Sequence, residues 1–334
     1  MSEKPLLELS KVSKRFVRRL DAIEKLAGWL GARVSEQVVH AVDQVSLAVH
    51  RGEVVGLVGE SGCGKSTLGR MVAGLIEPSD GSIRYDGQVL SQARDVQSRR
   101  NRLRLQMVFQ DPMSSLNPRM KVQDLIGESA VYHGLIRKQD LRDHVAALLK
   151  KVALDPDYAT RYPHQFSGGQ RQRICIARAL AVQPEFLICD ESVAALDVSI
   201  QAQIINLFQQ LRQDLNLTYL FISHDLGVIQ HVADRVVVMY LGRVVESAPT
   251  TPLFDAPQHP YTQALLDQVP KLGSGRQAFV PIQGEIASAL NPPSGCHFHT
   301  RCPHAGPRCR AQVPELISNQ GHWVACHLHQ GGTA

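Results

Sequence analysis

A glycine-rich stretch at residues 59–67 constrains the fold of this chain more than any other part of its sequence. The stretch matches the phosphate-binding pattern G-x-x-x-x-G-K-[S/T]. A continuous apolar run at residues 54–58 precedes it, which is typical of a strand buried on both faces. Apolar residues at helical spacing follow it as far as Pro78. Strand, glycine loop and helix in this order aim backbone N–H groups at a polyphosphate, so the stretch predicts a loop that binds ATP or GTP.

Two side chains of this loop carry most of its expected chemistry. The ammonium group of Lys65 can reach the outer phosphates, and the hydroxyl group of Ser66 is a ligand that suits Mg²⁺. The predicted nucleotide-binding residues of the loop are Gly59, Glu60, Ser61, Gly62, Cys63, Gly64, Lys65, Ser66 and Thr67.

Acidic residues follow another apolar stretch. Residues 186–189 have the pattern of a buried strand, and Asp190 and Glu191 come directly after it. Asp190 is predicted to bind Mg²⁺ through the water shell of the ion, and Glu191 to polarise an attacking water molecule. A further predicted strand at residues 219–223 ends next to His224.

The segment Phe166-Ser167-Gly168-Gly169-Gln170 predicts a second phosphate-binding surface. Ser167 can cap the helix that follows, and the glycines let an anion approach the positive end of that helix. The surrounding residues, from about 120 to 182, have a predominantly helical pattern.

Together with Gln110, Ala195-Leu196-Asp197 and His224, these motifs occur in the order typical of the ATP-binding-cassette (ABC) ATPases, and the chain resembles that family over roughly residues 6–250. The resemblance implies ATP and Mg²⁺ as ligands. It also implies a head-to-tail dimer that holds ATP between two subunits. The phosphate loop of one subunit would face the segment of its partner that contains Ser167, Gly168, Gly169 and Gln170.

The same resemblance implies roles for single residues. Glu191 and His224 are the implied catalytic residues, and His224 would hold the γ-phosphate. Phe16 would stack on adenine, and Asp197 would contact the partner subunit. Gln110 would bind Mg²⁺ and link the γ-phosphate to the membrane partner.

Two residues depart from the family pattern: Ser192 and Ala194 stand where proline and serine are usual. Both lie beside the predicted catalytic acid without replacing it, so the departure bears on the rate of turnover. It also leaves open a non-catalytic regulatory subunit. A soluble cassette protein acting on DNA or ribosomes is a second alternative, but the sequence has neither a long coiled-coil insertion nor a second cassette.

Residues after Asp255 change character and are rich in proline, histidine and glycine. The sequences at 259–266 and 295–298 resemble the extension of ATPases in dipeptide and oligopeptide importers. The resemblance implies two transmembrane permease subunits, a second similar ATPase chain and, indirectly, a periplasmic or extracellular peptide-binding protein as partners. Relatives that serve nickel, glutathione or antimicrobial-peptide uptake share parts of this extension, so the substrate stays open.

Four of the seven cysteines crowd this extension, with the spacing C-x₅-C-x₆-C-x₁₆-C. Four thiolates suit an iron–sulfur cluster, and the spacing lacks the C-x₂-C pairs typical of structural zinc. Resemblance to the dipeptide-importer ATPases favours a [4Fe–4S] cluster, with zinc, free thiols or disulfides as alternatives. The expected ligands are Cys296, Cys302, Cys309 and Cys326.

Composition limits the partners and the location. No apolar run approaches the roughly 18 residues needed to span a bilayer, and the first four residues lack the pattern of a signal peptide. We therefore expect a cytoplasmic protein, and the resemblance to importer ATPases implies a peripheral position on the cytoplasmic face of the inner (plasma) membrane. The net charge of +5 is mild, and the basic run at residues 99–104 has no interleaved aromatic residues, so no nucleic-acid partner is expected.

The predicted fold class is α/β: a P-loop cassette ATPase core with an antiparallel β subdomain, a helical subdomain and a small cysteine-containing C-terminal extension. The predicted domains are residues 1–255, with the helical subdomain at about 111–183, and residues 256–334. Between two early strands, Leu20, Ile23, Ala27 and Leu30 recur at helical spacing. This predicts an amphipathic surface helix, or alternatively a contact with a membrane or partner.

Overall fold

The computed structural model describes residues 4–18, 36–90, 96–194, 196–268, 284–285 and 287–330. The predicted amphipathic helix around Leu20 to Leu30 lies outside these residues, as does Ala195. The strands are β1 (Leu7–Arg18), β2 (Gln37–Val49), β3 (Val54–Val58), β4 (Asp80–Tyr85), β5 (Gln88–Val89), β6 (Leu105–Val108), β7 (Phe186–Asp190), β8 (Thr218–Ile222), β9 (Arg235–Tyr240), β10 (Arg243–Pro249), β11 (Ile317–Asn319) and β12 (His322–Val324).

The described α-helices and shorter 3₁₀ turns lie between these strands. The α-helices are α1 (Lys65–Val72), α2 (Val96–Arg104), α3 (Pro112–Ser115), α4 (Val122–Tyr132), α5 (Leu141–Lys151), α6 (Gly168–Leu180), α7 (Val198–Leu215), α8 (Leu226–Val232), α9 (Thr250–Asp255), α10 (Pro260–Leu266) and α11 (Pro307–Ala311). The 3₁₀ turns are Lys138–Asp140, Pro156–Thr160 and Pro163–Gln165.

A mixed sheet forms the centre of the molecule, in the order β11-β12-β10-β9-β3-β8-β7-β6 within the described residues. Strands β9, β3, β8, β7 and β6 run parallel to one another. Their residues are almost entirely buried, because helices and a second sheet cover the two faces. The α/β class is confirmed. The sequence at residues 235–246, two apolar stretches around Leu241-Gly242, predicts a hairpin, and β9 and β10 form it.

The second sheet is antiparallel, in the order β2-β1-β4-β5. The sequence pattern predicts only residues 6–9 and 44–49 of its first two strands, which pair as far as Arg18 with Gln37. Lys11 and Gln44 have positive φ angles of 48° and 51°. The register shifts between Leu9 and Val12 and again beyond. These bulges break the period-2 alternation, which is why the sequence pattern showed only fragments of the strands.

The predicted helical segment is confirmed between β6 and β7, where α4, α5 and α6 pack together. Their apolar residues join one core with α7, α8 and one face of the central sheet. The opposite face of that sheet packs with α1 on the antiparallel sheet. The phosphate-loop strand β3 contributes side chains to both cores.

The end of the chain adds a short hairpin to the central sheet. Strand β12 pairs with β10 through Glu246 with Val324 and Ser247 with Trp323. Gln320 and Gly321, between β11 and β12, have φ angles of 51° and 84°, as a tight hairpin turn requires. The region beyond residue 255 is therefore joined by strand pairing to the sheet that carries the phosphate loop.

Candidate functional site

The candidate residues lie where the parallel strands end. The phosphate loop follows β3, Asp190 ends β7, and His224 follows β8. Gln110 comes shortly after β6, the outer parallel neighbour of β7. Because the carboxyl ends of parallel strands share one edge, four separate stretches of sequence form a single crevice, which is where open α/β sheets bind ligands.

Backbone geometry shapes the phosphate loop. Gly59 and Gly64 have φ angles of +150° and +105°, and a Cβ atom on either would approach a backbone oxygen to 2.2 Å or less. Gly64 is also the N-cap residue of α1 and provides no side-chain cap. The first N–H groups of this helix are thus left without a side-chain partner at the end where the helix dipole favours an anion.

The side chain of Lys65 folds back over this loop. Its Nζ atom donates hydrogen bonds to the carbonyl oxygens of Gly59, at 2.7 Å, and of Glu60, at 3.0 Å. Lys65 is only 4% exposed. The ammonium group is therefore already placed inside the curve of the loop.

Ser66 connects the phosphate loop to β7. Its Oγ donates a hydrogen bond of 2.8 Å to Oδ1 of Asp190. Burial raises the pKa of Asp190, and the hydrogen bond from Ser66 partly offsets this rise. A hydroxyl and a carboxylate oxygen beside the loop are hard oxygen ligands of the kind that Mg²⁺ prefers, so the donor set fits this ion.

Glu191 lies between the two other predicted residues of the crevice. Gln110 Nε2 donates a hydrogen bond of 2.6 Å to Glu191 Oε2, and His224 Nδ1 is 3.4 Å from Glu191 Oε1. Glu191 has a φ angle of +46°, which is uncommon for a residue other than glycine. Within the described residues, Glu191 is the only acidic residue whose carboxylate contacts the side chains of both Gln110 and His224. Ser192, one of the two departures from the family pattern, is buried.

The predicted cap at the start of α6 is confirmed. Ser167 Oγ accepts a hydrogen bond from Gln170 N, and the Gln170 side chain accepts one from Ser167 N. Ser167 and Gly168 are exposed. Gly169 is buried, and a Cβ atom there would meet Ile200 at 2.5 Å. The second glycine therefore has a packing role between α6 and α7 that the sequence alone did not indicate.

Two further predicted site residues are exposed and take no part in the contacts described above for the crevice. Phe16 is 43% exposed, near the end of β1, with Lys14 Nζ 5.3 Å from the centre of its ring. Asp197 is the exposed N-cap residue of α7 and makes no side-chain cap hydrogen bond. Both are open to a ligand or a partner.

Two residues that contact the phosphate loop are not predicted by the sequence. Arg301 pairs with the carboxylate of Glu60, and the hydroxyl group of Tyr261 accepts a hydrogen bond from Glu60 N. They lie 241 and 201 residues from Glu60 in the chain. No local pattern marks such a contact, although Tyr261 belongs to a stretch that resembled the extension of importer ATPases.

The four cysteines of the extension come near one another and form no disulfide. Burial and, to a smaller extent, the neighbouring thiols of Cys309, Cys326 and Cys302 raise the pKa of Cys296 to about 11. Backbone N–H groups two residues later donate to three of the sulfur atoms and lower those pKa values. Even so, the described part of the chain contains no group of three or more His, Cys, Asp or Glu side chains that could hold a metal ion.

Comparisons with known proteins agree with this geometry. The family model described as "ABC transporter" matches residues 42–194, and "Oligopeptide/dipeptide transporter, C-terminal region" matches residues 245–309. The second match includes Cys296, Cys302 and Cys309 but ends before Cys326. In the described ranges no helix combines the length and apolar character needed to cross a bilayer.

Similar proteins of known role span nearly the whole chain. It is 48% identical to the oligopeptide transport ATP-binding protein AppF of Bacillus subtilis over 98% of both chains. It is also 48% identical to OppF of Salmonella typhimurium, over 87% of this chain and 88% of OppF.

Among solved structures, cbiO1 of Clostridium perfringens matches with a TM-score of 0.62 and 26% identity, over 76% of this chain and 92% of cbiO1. A dimeric ATP-binding cassette bound to ADP and Pi matches with a TM-score of 0.62 and 25% identity, over 73% of this chain and 98% of that one. The chain therefore belongs to the ABC transporter family, among the ATP-hydrolysing subunits of peptide importers.

Proposed function

We propose that this chain hydrolyses ATP in the crevice around Glu191 and thereby drives dipeptide or oligopeptide uptake through two transmembrane permease subunits. The observation that carries the proposal is the placement of Glu191 between Gln110 and His224, on the same sheet edge as the phosphate loop. An acid there can orient a water molecule toward the terminal phosphate held by the loop.

Different residues of the crevice neutralise phosphate charge, bind Mg²⁺ and orient the attacking water. Lys65 and the free N–H groups of the loop neutralise phosphate charge. Ser66, Gln110 and, through water, Asp190 hold Mg²⁺, which neutralises charge that develops on the phosphate oxygens. Glu191 accepts a hydrogen bond from the attacking water and orients it.

The remaining γ-phosphate contact comes from His224, next to Glu191. Phe16 is exposed enough to stack on the adenine ring. The substrate class comes from the relatives: AppF and OppF are named oligopeptide transport ATP-binding proteins.

A second ATPase chain completes the site in this proposal. The exposed Ser167 and Gly168, with Gly169 and Gln170, would contact ATP bound by the partner's phosphate loop, and Asp197 would lie at the same interface. The exposure of Ser167, Gly168 and Asp197 leaves these positions open to such a partner. The ATPase pair would sit peripherally on the permeases at the cytoplasmic face of the inner membrane, with a peptide-binding protein acting on the other side.

Changing Ser167 to arginine tests the shared site. Arginine removes the cap of α6 and adds bulk at an exposed surface, so closure against the partner should fail. In a mixed dimer, hydrolysis at the partner's site is expected to fall at least about a hundredfold, the range seen when one stabilising contact to the transition state is lost. ATP affinity at the variant's own phosphate loop, measured by calorimetry, should stay unchanged.

Gln213→Arg is the matched control for this experiment. Gln213 is exposed near the end of α7, which leads to the opposite edge of the sheet where β8 begins. Hydrolysis should be normal in this variant. Loss of ATP binding at the loop of the Ser167→Arg chain itself would show that the shared-site arrangement is wrong.

We also propose the domain division at residue 255 and a [4Fe–4S] cluster on Cys296, Cys302, Cys309 and Cys326. Two observations support the cluster. The four thiols lie close enough that neighbouring thiols raise the pKa values of Cys296, Cys302 and Cys326, and backbone N–H groups donate hydrogen bonds to these three sulfur atoms. Such hydrogen bonds stabilise thiolate ligands of iron–sulfur clusters. The cluster would have a structural role in a loop-rich segment with little apolar area of its own.

Anaerobic purification tests the cluster. The wild-type chain is expected to be brown and to contain about four iron atoms, as the cluster type requires. Cys302→Ser should lose most of the iron, whereas Cys175→Ala, a change in the helical subdomain, should keep it. A colourless anaerobic protein with one zinc ion per chain, or with no metal, would refute the cluster.

The uptake function is tested most simply in cells. A strain without this gene is expected to lose uptake of labelled oligopeptides, and the wild-type gene should restore it while a Glu191→Gln gene should not. Normal peptide uptake in the deletion strain, in the absence of a second peptide importer, would contradict the proposed substrate class.

A further inference from the structure

The carboxylate of Glu60, the second residue of the phosphate loop, is held by a residue of the C-terminal extension. Arg301 Nη1 is 2.7 Å from Glu60 Oε2, and Arg301 Nη2 is 3.0 Å from Glu60 Oε1. The side chain of Arg301 is 4% exposed and that of Glu60 is 20% exposed. A two-pronged pair of this kind fixes orientation as well as charge, and burial protects it from screening by salt.

A second contact reaches the backbone of the same residue. Glu60 N donates a hydrogen bond of 2.8 Å to the hydroxyl oxygen of Tyr261. Tyr261 is fully buried, and its ring packs on Tyr240 and Phe298 at centroid distances of 4.7 and 5.3 Å. Arg301 lies against the same group, with its guanidinium carbon 5.9 Å from the centre of the Tyr240 ring. The extension thus contacts both the side chain and the main chain of Glu60.

We propose that Arg301 and Tyr261 are positioning residues for ATP binding. Tyr261 fixes the path of the phosphate loop at Glu60, and Arg301 neutralises a carboxylate that would otherwise repel the incoming triphosphate. This inference rests on the proposed ATP-binding role of the loop and extends it to the C-terminal extension, which holds no predicted nucleotide contact of its own.

The physical reason is electrostatic. Glu60 follows Gly59 directly, and the carbonyl oxygens of both residues accept hydrogen bonds from the ammonium group of Lys65. An unpaired negative charge at this position opposes phosphate binding at short range, where water screens poorly. With Arg301 in place the pair is neutral, and the attraction of Lys65 and the helix dipole for phosphate is not offset.

Binding of ATP with Mg²⁺ to the full-length chain tests this role, by calorimetry together with steady-state hydrolysis. Arg301→Ala is expected to raise both the Kd and the KM for ATP about tenfold. This change corresponds to only part of the free energy that a charge-assisted hydrogen-bonded pair contributes. The kcat at saturating ATP should stay within about twofold, because Arg301 touches none of the reacting atoms. Arg308→Ala is the matched control, since Arg308 is exposed in the same extension and its side chain donates a hydrogen bond to Gln312. The Kd of this variant should equal that of the wild type.

A second change separates charge from packing. If Arg301 acts by neutralising Glu60, then adding Glu60→Gln to Arg301→Ala should restore most of the lost affinity. A role in packing alone would leave the double variant as weak as the single one. Tyr261→Phe, which keeps the ring and removes the acceptor, should weaken binding about threefold, as expected for loss of one neutral hydrogen bond.

The outcomes distinguish this inference from the proposed function. A wild-type chain that does not bind ATP would refute the ATP site itself. Wild-type affinity in Arg301→Ala, or failure of Glu60→Gln to restore it, would overturn the positioning role while leaving the ATP site intact. Should Arg301→Ala not fold, Arg301→Gln provides the same test, because glutamine keeps a polar side chain of similar length but loses the charge, and it should also raise Kd about tenfold.

Discussion

Replacing Lys65 with alanine is expected to weaken ATP binding at least about a hundredfold, because a charge-assisted contact to phosphate is lost inside a nearly buried loop. Lys65 is 4% exposed, and Gly59 and Glu60 hold its ammonium group within the curve of the loop. The backbone N–H groups that remain supply only partial charges. Calorimetry with ATP and Mg²⁺ on the full-length chain measures the change.

Lys121→Ala is the control for this experiment. Lys121 is exposed at the start of α4, away from the phosphate loop, and makes no side-chain cap hydrogen bond. Its loss should leave Kd unchanged. Tight ATP binding by the Lys65→Ala chain would mean that the glycine-rich stretch does not bind the phosphates.

The second large effect concerns turnover. Glu191→Gln should keep ATP binding within about twofold but lower kcat at least about a hundredfold, the usual contribution of a group that activates water. Glutamine preserves the shape of the side chain, and its carbonyl oxygen can still accept the hydrogen bond from Gln110. It lacks the charge that orients the attacking water. ATP should therefore be trapped and the ATPase dimer stabilised.

Single-turnover hydrolysis and gel filtration with ATP measure this pair of effects. Glu128→Gln, an exposed change on α4, should behave as the wild type. Unchanged hydrolysis by the Glu191→Gln chain would place the catalytic role on another residue. It would also revive the non-catalytic alternative that Ser192 and Ala194 raised.

The residues that line the crevice could be located from the sequence because each belongs to a short continuous stretch. The phosphate loop, Asp190 with Glu191, and His224 each follow a buried strand, and parallel strands end at one edge. In the structure Glu191 contacts both Gln110 and His224, so residues from three separate stretches meet in the crevice. The cap of Ser167 on α6 was predictable for the same reason, since capping depends on residues three positions apart.

Features that depend on distant residues were not predictable in this way. The bulges at Lys11 and Gln44 interrupt the alternation of β1 and β2, so their full length emerged only from pairing. Gly169 fits a pattern for phosphate binding, yet it is also required by the approach of Ile200. The pairing of Arg301 with Glu60 joins residues 241 positions apart, and nothing near either residue indicates it.

We expect ATP hydrolysis at Glu191 to be coupled to peptide uptake. The most direct measurement is the rate of phosphate release by this chain, assembled with its permeases and second ATPase chain in vesicles, with and without peptide-loaded binding protein. Peptide should raise the rate in the wild-type assembly, and Glu191→Gln should remove most of the increase, with any remainder coming from the second ATPase chain. Hydrolysis that is indifferent to peptide, or a peptide response that persists in full with Glu191→Gln, would contradict this coupling.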